Sequence, residues 1–488
     1  MTLESRPLFL SVGMILIALS LALAVAPRTS ASPPVVFVDG TSPLGLTMGT
    51  DAACWVDIDN DGWTDLIVSG VVWKNVDGKR FVHFADVGGS VVAADFDNDG
   101  FVDLFCYSTM KLYHNEGGKR FVEAPLPKLP KTVSRGACWG DFDGDGFVDL
   151  YIGGYEDWDA GITYPSLILM NQKGKSFKLV WSDATYRTRG VTACDFNRDT
   201  ALDVYVSNYR LQPNQLWMND GKGRFKDAAL EKNAVATSPG FDGGHTIGSC
   251  WGDFDNDGEF DLFVANFAHV DNRGDQPKSR FLRNLGPKKG YAFDDLGTCG
   301  VFYQESYATP AAGDFDNDGL LDLCLTTVYA PASFGKPNHP VLFRNGSGFK
   351  FTDVTASSGL ADLPPTYQAA WADFKHDGSL DLVTAGKLFV NQGNKNAWLE
   401  VRLQGDGRTI NRSAIGSQVR IKRKHGVLTR QVEGGTGEGN QNDLVLHFGL
   451  GAAKTPVDIE ITWPNGKIQR IRHVRPDQMI DVKYGQRR

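Results

Sequence analysis

Helix-forming runs of Ala, Glu, Leu and Lys are scarce outside the N-terminus, which argues against a helical bundle and against an α/β sheet. No GxSxG, HExxH or CxxC occurs in the chain, so the common signatures of a serine nucleophile, a zinc protease and a paired-thiol site are all missing. No cysteine directly follows the N-terminal apolar run, so a lipoprotein anchor is not indicated. Basic charge is also short: the formal net charge is -8, yet from Asn396 to Arg488 there are 16 Lys and Arg against 9 Asp and Glu, so the preceding body holds all of the acidic excess. An acidic body speaks against a nucleic-acid groove and for bound cations. What is abundant is Gly, Asp and dispersed Phe, Tyr and Trp, the composition of an all-β chain rich in turns. At 488 residues the chain exceeds one ordinary hydrophobic core, which favours two domains or one large closed ring with an appendage.

Arg6, an apolar run from Leu8 to Ala26, and small residues at Thr29, Ala31 and Ser32 form a secretory signal pattern over residues 1–31. Cleavage after Ala26 or Ala31 releases the body; without cleavage the run is long enough to anchor it in a membrane. Either outcome predicts an exported protein, periplasmic, cell-surface or secreted. Of seven cysteines, Cys54, Cys138 and Cys250 stand three residues before the first Asp of an acidic repeat, and Ala370 holds that place in another copy. Equivalent places in separate repeats predict small buried side chains rather than a disulfide framework.

One acidic decapeptide occurs seven times: DIDNDGWTDL (57–66), DFDNDGFVDL (95–104), DFDGDGFVDL (141–150), DFNRDTALDV (195–204), DFDNDGEFDL (253–262), DFDNDGLLDL (314–323) and DFKHDGSLDL (373–382). Each lies between a short apolar stretch and a strand-like one, and a later run closes on Asn and a tight turn, as in WKNVDGKRF and LWMNDGKGRF. Strand, acidic loop, strand, connection, strand, turn, strand makes a four-stranded blade, and seven make a ring. The last copy lacks its fourth strand. VVFVDGTSPLGL (35–46) is like FKFTDVTASSGL (349–360), so the N-terminal strand is predicted to complete the seventh blade and remove the open edges.

Asp at positions 1, 3, 5 and 9 with Gly at 6 gathers four carboxylates in one loop, a set of hard oxygen ligands suited to calcium. The predicted ligands are Asp57, Asp59, Asp61 and Asp65; Asp95, Asp97, Asp99 and Asp103; Asp141, Asp143, Asp145 and Asp149; Asp253, Asp255, Asp257 and Asp261; and Asp314, Asp316, Asp318 and Asp322, about five sites. An EF-hand is ruled out, because Val68, Cys106, Ile152, Val264 and Leu325 stand where its bidentate Glu belongs. Asn197, Arg198 and Thr200 weaken the fourth copy, and in the seventh the Lys375 ammonium is predicted to take the ion's place among Asp373, Asp377 and Asp381.

These loops resemble the FG-GAP or VCBS repeat family, whose best-known members are the propellers of integrin α-subunits. The resemblance covers residues 35–394 and implies an all-β, seven-bladed β-propeller with calcium between the first two strands of a blade. NRSAIG, HFGLG and WPNG carry a second resemblance, over residues 396–485, to the ASPIC/UnbV domain of the cartilage acidic protein family; alternating strands such as VRIKRK and VDIEITW make it a small C-terminal β domain. Arg420, Lys422, Arg423 and Lys424, alternating with Val419 and Ile421, read as a solvated strand face.

The calcium loops are expected on one propeller face and the long aromatic connections on the other. Tyr155, Trp158, Tyr186, Arg187, Tyr209, Arg210, His245, Tyr303, Tyr307 and Tyr329 are the candidate ligand set there, suited to a sugar or an extended peptide. The expected partner is an extracellular protein or carbohydrate, and the expected function is binding, adhesion or scaffolding. The alternative is an enzyme acting on extracellular polysaccharide through the same face, although no catalytic constellation is legible.

Overall fold

The computed structural model describes residues 35–271, 274–332, 337–424 and 426–486; the signal segment expected over residues 1–31 lies outside them. Among the described residues the fold is all β, with one short 3-10 turn at Pro287–Lys289. Seven four-stranded antiparallel sheets succeed one another, and each is a blade of a propeller. Their innermost strands are Ala53–Val56, Val91–Ala94, Ala137–Gly140, Thr188–Cys194, His245–Gly252, Tyr307–Gly313 and Ala369–Ala372, taken here as blades 1 to 7. These strands are small, apolar and almost wholly buried, because neighbours cover them on every side. Outermost strands such as Phe177–Asp183 alternate between covered and exposed residues, as a half-wetted edge requires. Phe37–Asp39 pairs antiparallel with Lys387–Asn391, with Phe37 opposite Asn391, and so supplies the fourth strand of blade 7 as the sequence predicts.

One side chain per blade locks the ring. The Asn ending each third strand donates through Nδ2 to a backbone carbonyl in the acidic loop of the preceding blade: Asn115 to Ile58, Asn171 to Phe96, Asn219 to Phe142, Asn284 to Phe196, Asn345 to Phe254, Asn391 to Phe315 and Asn75 back to Phe374. The seven bonds, 2.7–3.1 Å long, run head to tail in a closed circle. The same Asn Oδ1 accepts from the turn that follows, for instance from Gly78 and Gly174, which fixes the hairpin as well as the neighbour. All seven cysteines are free thiols, and Cys54, Cys138 and Cys250 are buried as their repeat position predicts.

The C-terminal residues fold as two sheets. Ala397–Gln404 lies between Leu446–Gly451 and, in parallel, Gln478–Lys483; Gln418–Arg423 lies between Gly426–Gln431 and Val457–Thr462, with Ile468–Val474 outside. Residues 35–488 form one compact unit, and Leu399, Ile415 and Trp463 share a hydrophobic cluster with Trp139, Phe142 and Val148 of blade 3. The C-terminal sheets sit on the acidic-loop face: Arg412 N–H donates to Asn98 Oδ1, Val427 N–H to the Asn256 carbonyl, and Gly451 N–H to the Asn317 carbonyl, each at 2.8 Å. This seating corrects the reading of Arg420 as solvated. It is buried, within reach of the charges of Glu259 and Asp195, because the propeller covers the strand face that alternation left polar.

From these sheets the glycine-rich segment 432–443 enters the channel between the blades. Its backbone and amide side chains bond the inner strands in turn. Gln441 pairs through its backbone with Ala53 and Trp55 and through its side chain with both N–H and C=O of Ala93. Trp139 N–H donates to Gly434, Thr192 Oγ1 to Gly435, Gly437 N–H to Ser249, and Trp371 N–H to Asn442 Oδ1. At the tip, Glu438 forms an ion pair with Arg189 of blade 4 at 2.5 Å.

Candidate functional site

The acidic loops repeat one hydrogen-bond plan. The position-1 carboxylate accepts from the N–H of position 6, as in Gly62 to Asp57, Gly100 to Asp95, Gly146 to Asp141, Gly258 to Asp253 and Gly319 to Asp314, at 2.8–3.2 Å. Each of these glycines has φ near +90 to +100°, which a side chain would strain. The position-9 carboxylate is a staple: in Asp65, Asp103, Asp149, Asp261 and Asp322 one oxygen takes the N–H of position 2 and the other the N–H of the blade's Asn. Sequence reading treats all four aspartates as equal ligands. The structure gives position 9 a second task, holding loop and third strand together.

Carboxylate oxygens converge within 4.8 Å of one another in Asp57, Asp59 and Asp61; in Asp95, Asp97 and Asp103; in Asp141, Asp143 and Asp149; and in Asp253, Asp255 and Asp261. Asp57, Asp59 and Asp253 each keep one buried oxygen without a partner. Burial first, with neighbouring carboxylates adding to it, pushes Asp57 up to about 6, Asp95 and Asp141 to about 7 and Asp253 to about 8. Asp314 and Asp322 are also driven well up by burial and by their acidic neighbours. Buried acceptors, mutual repulsion and oxygen-only chemistry fit a divalent hard cation.

A feature not foreseen from sequence modulates the loops. In four of the five regular copies the residue before the blade's Asn is basic and reaches the loop carboxylates. Lys74 pairs with Asp59 and, at 3.2 Å, with Asp61; His114 lies 3.4 Å from Asp97 and 3.2 Å from Asp103; Arg283 binds Asp255 at 2.8 Å and Asp257 at 3.3 Å; Arg344 binds Asp316 at 2.5 Å and Asp318 at 2.8 Å. Blade 3 has Met170 there. The signal was present in the runs WKN, YHN, LMN, LRN and FRN. In the seventh copy Lys375 lies 2.6 Å from Asp377, and although burial works against its charge, Asp381, Asp377 and Asp373 hold its pKa above the ordinary value. In the fourth, Asn197 Nδ2 donates to Asp199, and Thr200, a β-branched residue, takes φ +75° where the others have Gly.

On the opposite face the structure gathers part of the candidate ligand set. Arg187 and Arg210 both bind the buried Glu156 carboxylate, at 2.9 and 3.0 Å. The Arg210 guanidinium stacks over exposed Trp158 at 3.8 Å, while the Tyr209 ring lies 6.3 Å from Tyr155 and 4.8 Å from His245. Arg189, absent from the sequence-derived set, sits 5.0–5.4 Å from the rings of Tyr155, Tyr209 and Tyr367. Tyr186 is half-buried on the connection entering blade 4. Tyr329 is exposed and packs edge-on against Phe267. Two candidates turn inward: His245 is buried under Tyr209, and Tyr307 is a core residue whose hydroxyl donates to the Phe302 carbonyl. The Tyr303 hydroxyl is likewise spent on the Ala268 carbonyl.

Residues 95–152, 195–264 and 314–384 match the FG-GAP-like repeat, and residues 407–488 match the family described as ASPIC and UnbV. FG-GAP-like repeats are thus matched over three stretches of the propeller, and the ASPIC and UnbV model over most of the domain seated on its acidic-loop face. Among curated proteins it is similar to cartilage acidic protein 1. It is 28% identical over 320 residues to that of Xenopus tropicalis, covering 61% of this chain and 45% of the relative. To that of Homo sapiens it is 27% identical over 311 residues, covering 60% and 43%. The match thus spans less than half the length of these relatives. A solved structure of YCF48 bound to D1 peptide is 13% identical, with a TM-score of 0.44, and covers 74% of this chain and 95% of that one. The Vibrio cholerae biofilm matrix protein Bap1 is 12% identical, with a TM-score of 0.31, covering 90% and 76%.

Proposed function

We propose that this protein is an exported, calcium-binding propeller that serves as a binding, adhesion or scaffold module, with its ligand on the face opposite the acidic loops. The convergence of carboxylates in a repeated loop, with one buried oxygen of each of Asp57, Asp59 and Asp253 lacking any partner, carries the calcium reading. Bound calcium would offset two of the four negative charges of a loop and tie position 1 to positions 3 and 5. The protein's own part is to preform the cage through the Gly turn and the position-9 staple. The ligand reading is supported by the Tyr155, Trp158, Tyr209 and Arg210 cluster, whose arginine is held by Glu156 and so presents fixed aromatic and cationic surface.

Calorimetric titration of the metal-stripped protein with calcium, alongside thermal unfolding, tests this. About five ions should bind, and at a hundredfold excess over the dissociation constant each independent site should add about 2.7 kcal/mol. An isotherm without heat and an unmoved melting temperature would overturn the calcium reading.

A further inference from the structure

The channel mouth on the face away from the acidic loops opens as a cleft of about 500 Å³. The C-terminal hairpin supplies its floor, since Glu438 lines the cleft after the segment has crossed between the blades. Glu438 is 4% exposed; its Oε1 takes the Arg189 guanidinium, and its Oε2 has no partner. A buried carboxylate oxygen without a donor is costly, so the floor is short of one hydrogen-bond donor. Around it stand the carboxylate of exposed Asp51, the guanidinium of exposed Arg135, the hydroxyls of Ser90 and Ser108, and the half-buried ring of Tyr367. The lining offers both acceptors and donors, and the charges of the two acids, Asp51 and Glu438, are balanced in number by Arg135 and Arg189, which leaves no net charge to select an ion.

We infer that this mouth is a carbohydrate site, in which sugar hydroxyls donate to Glu438 Oε2 and Asp51, accept from Arg135 and the serines, and a sugar ring lies against Tyr367. A polyol is the ligand class that both donates and accepts at every position while offering an apolar ring face to an aromatic. The inference rests on the opposite-face reading above and narrows it to one ligand class. It also gives the ASPIC/UnbV domain a task at a distance: seated on one face, it completes a site on the other through one glycine-rich hairpin.

Calorimetry of the full chain, in calcium, against a panel of neutral and uronic-acid-containing oligosaccharides tests it. At least one should bind, and Arg135→Ala and Glu438→Gln should each weaken that binding about tenfold or more. Arg135 is exposed, so Arg135→Ala should leave the melting temperature unchanged and separate lost binding from lost fold. A panel sugar that binds both variants as well as the parent overturns the site. If no sugar binds, yet a protein ligand is held in a manner abolished by Arg210→Ala, the carbohydrate inference falls and the opposite-face reading stands. If neither class binds that face, both fall.

Discussion

A carboxylate cage is open to calcium only as far as other cations leave it open. Lys74, Arg283 and Arg344 bring a fixed positive charge onto their loops, whereas Met170 brings none. Such a pair is worth about 4 kcal/mol at an intermediate dielectric, but half-exposed pairs usually measure only about 0–1 kcal/mol because hydration offsets them. The blade 3 loop should therefore fill first. Replacing Arg344→Met should raise affinity at the blade 6 loop about fivefold, and Met170→Lys should lower it at the blade 3 loop by a similar factor. Site-resolved calcium titration of the full chain reads both changes; identical isotherms would mean that the cations swing aside at no cost. The aspartates were legible because seven copies align, and the fourth and seventh copies depart from the pattern at Asn197, Thr200 and Lys375. The basic third-strand residues were not, since no sequence rule says that a side chain one place before an Asn leans onto loop carboxylates 11 to 28 residues away.

At the scale of the element, the blade is held by side chains that act on backbone. Asn219 donates to the carbonyls of Phe142 and Leu202 and accepts from Gly221, so Asn219→Ala strands several buried groups at once. The expected loss is about 2–4 kcal/mol, measured by denaturant unfolding, against less than about 0.5 kcal/mol for an exposed control such as Lys222→Ala. The channel hairpin adds a pH dependence of its own. Glu433 is half-buried in a cavity also lined by Trp251 and Trp371, and burial raises it to about 8. A carboxyl raised on folding binds protons more tightly in the native state. Its contribution is complete below the unfolded pKa, near 4.5, and is lost as pH rises through about 8. Between pH 6 and pH 9 the melting temperature should fall further in the parent than in Glu433→Gln, and parallel curves would remove Glu433 as a cause. The hairpin was illegible for a plain reason. EGGTGEGNQND has neither apolar period nor β-propensity and reads as a surface loop; only the ring of inner strands makes its glycines fit and its amides useful.

For the whole molecule, sequence reading separates a propeller from a C-terminal β domain, because the acidic repeat stops and a different alternation begins. The contacts join what the pattern divides. Blade 3 contributes Trp139, Phe142 and Val148 to the same cluster as Leu399, Ile415 and Trp463, and the 432–443 segment satisfies inner-strand groups in blades 1, 2, 3, 4, 5 and 7. Re-exposing one large apolar side chain costs about 1.5–3 kcal/mol, against a total stability of about 5–15 kcal/mol for an ordinary domain. The channel groups differ from the core in one respect, since water could enter and hydrate them once the hairpin is gone. The apolar cluster has no such substitute, and its exposed half would promote association. A chain ending at residue 394 should therefore lose its cooperative transition or aggregate, while the full chain unfolds in one step by both far-ultraviolet circular dichroism and tryptophan fluorescence, a probe spread over propeller and C-terminal domain by Trp139 and Trp463. A truncated chain that melts cooperatively within a few degrees of the parent would show that the ring closed by Phe37–Asp39 and the seven asparagines is sufficient alone, and that the C-terminal domain is cargo rather than part of the core.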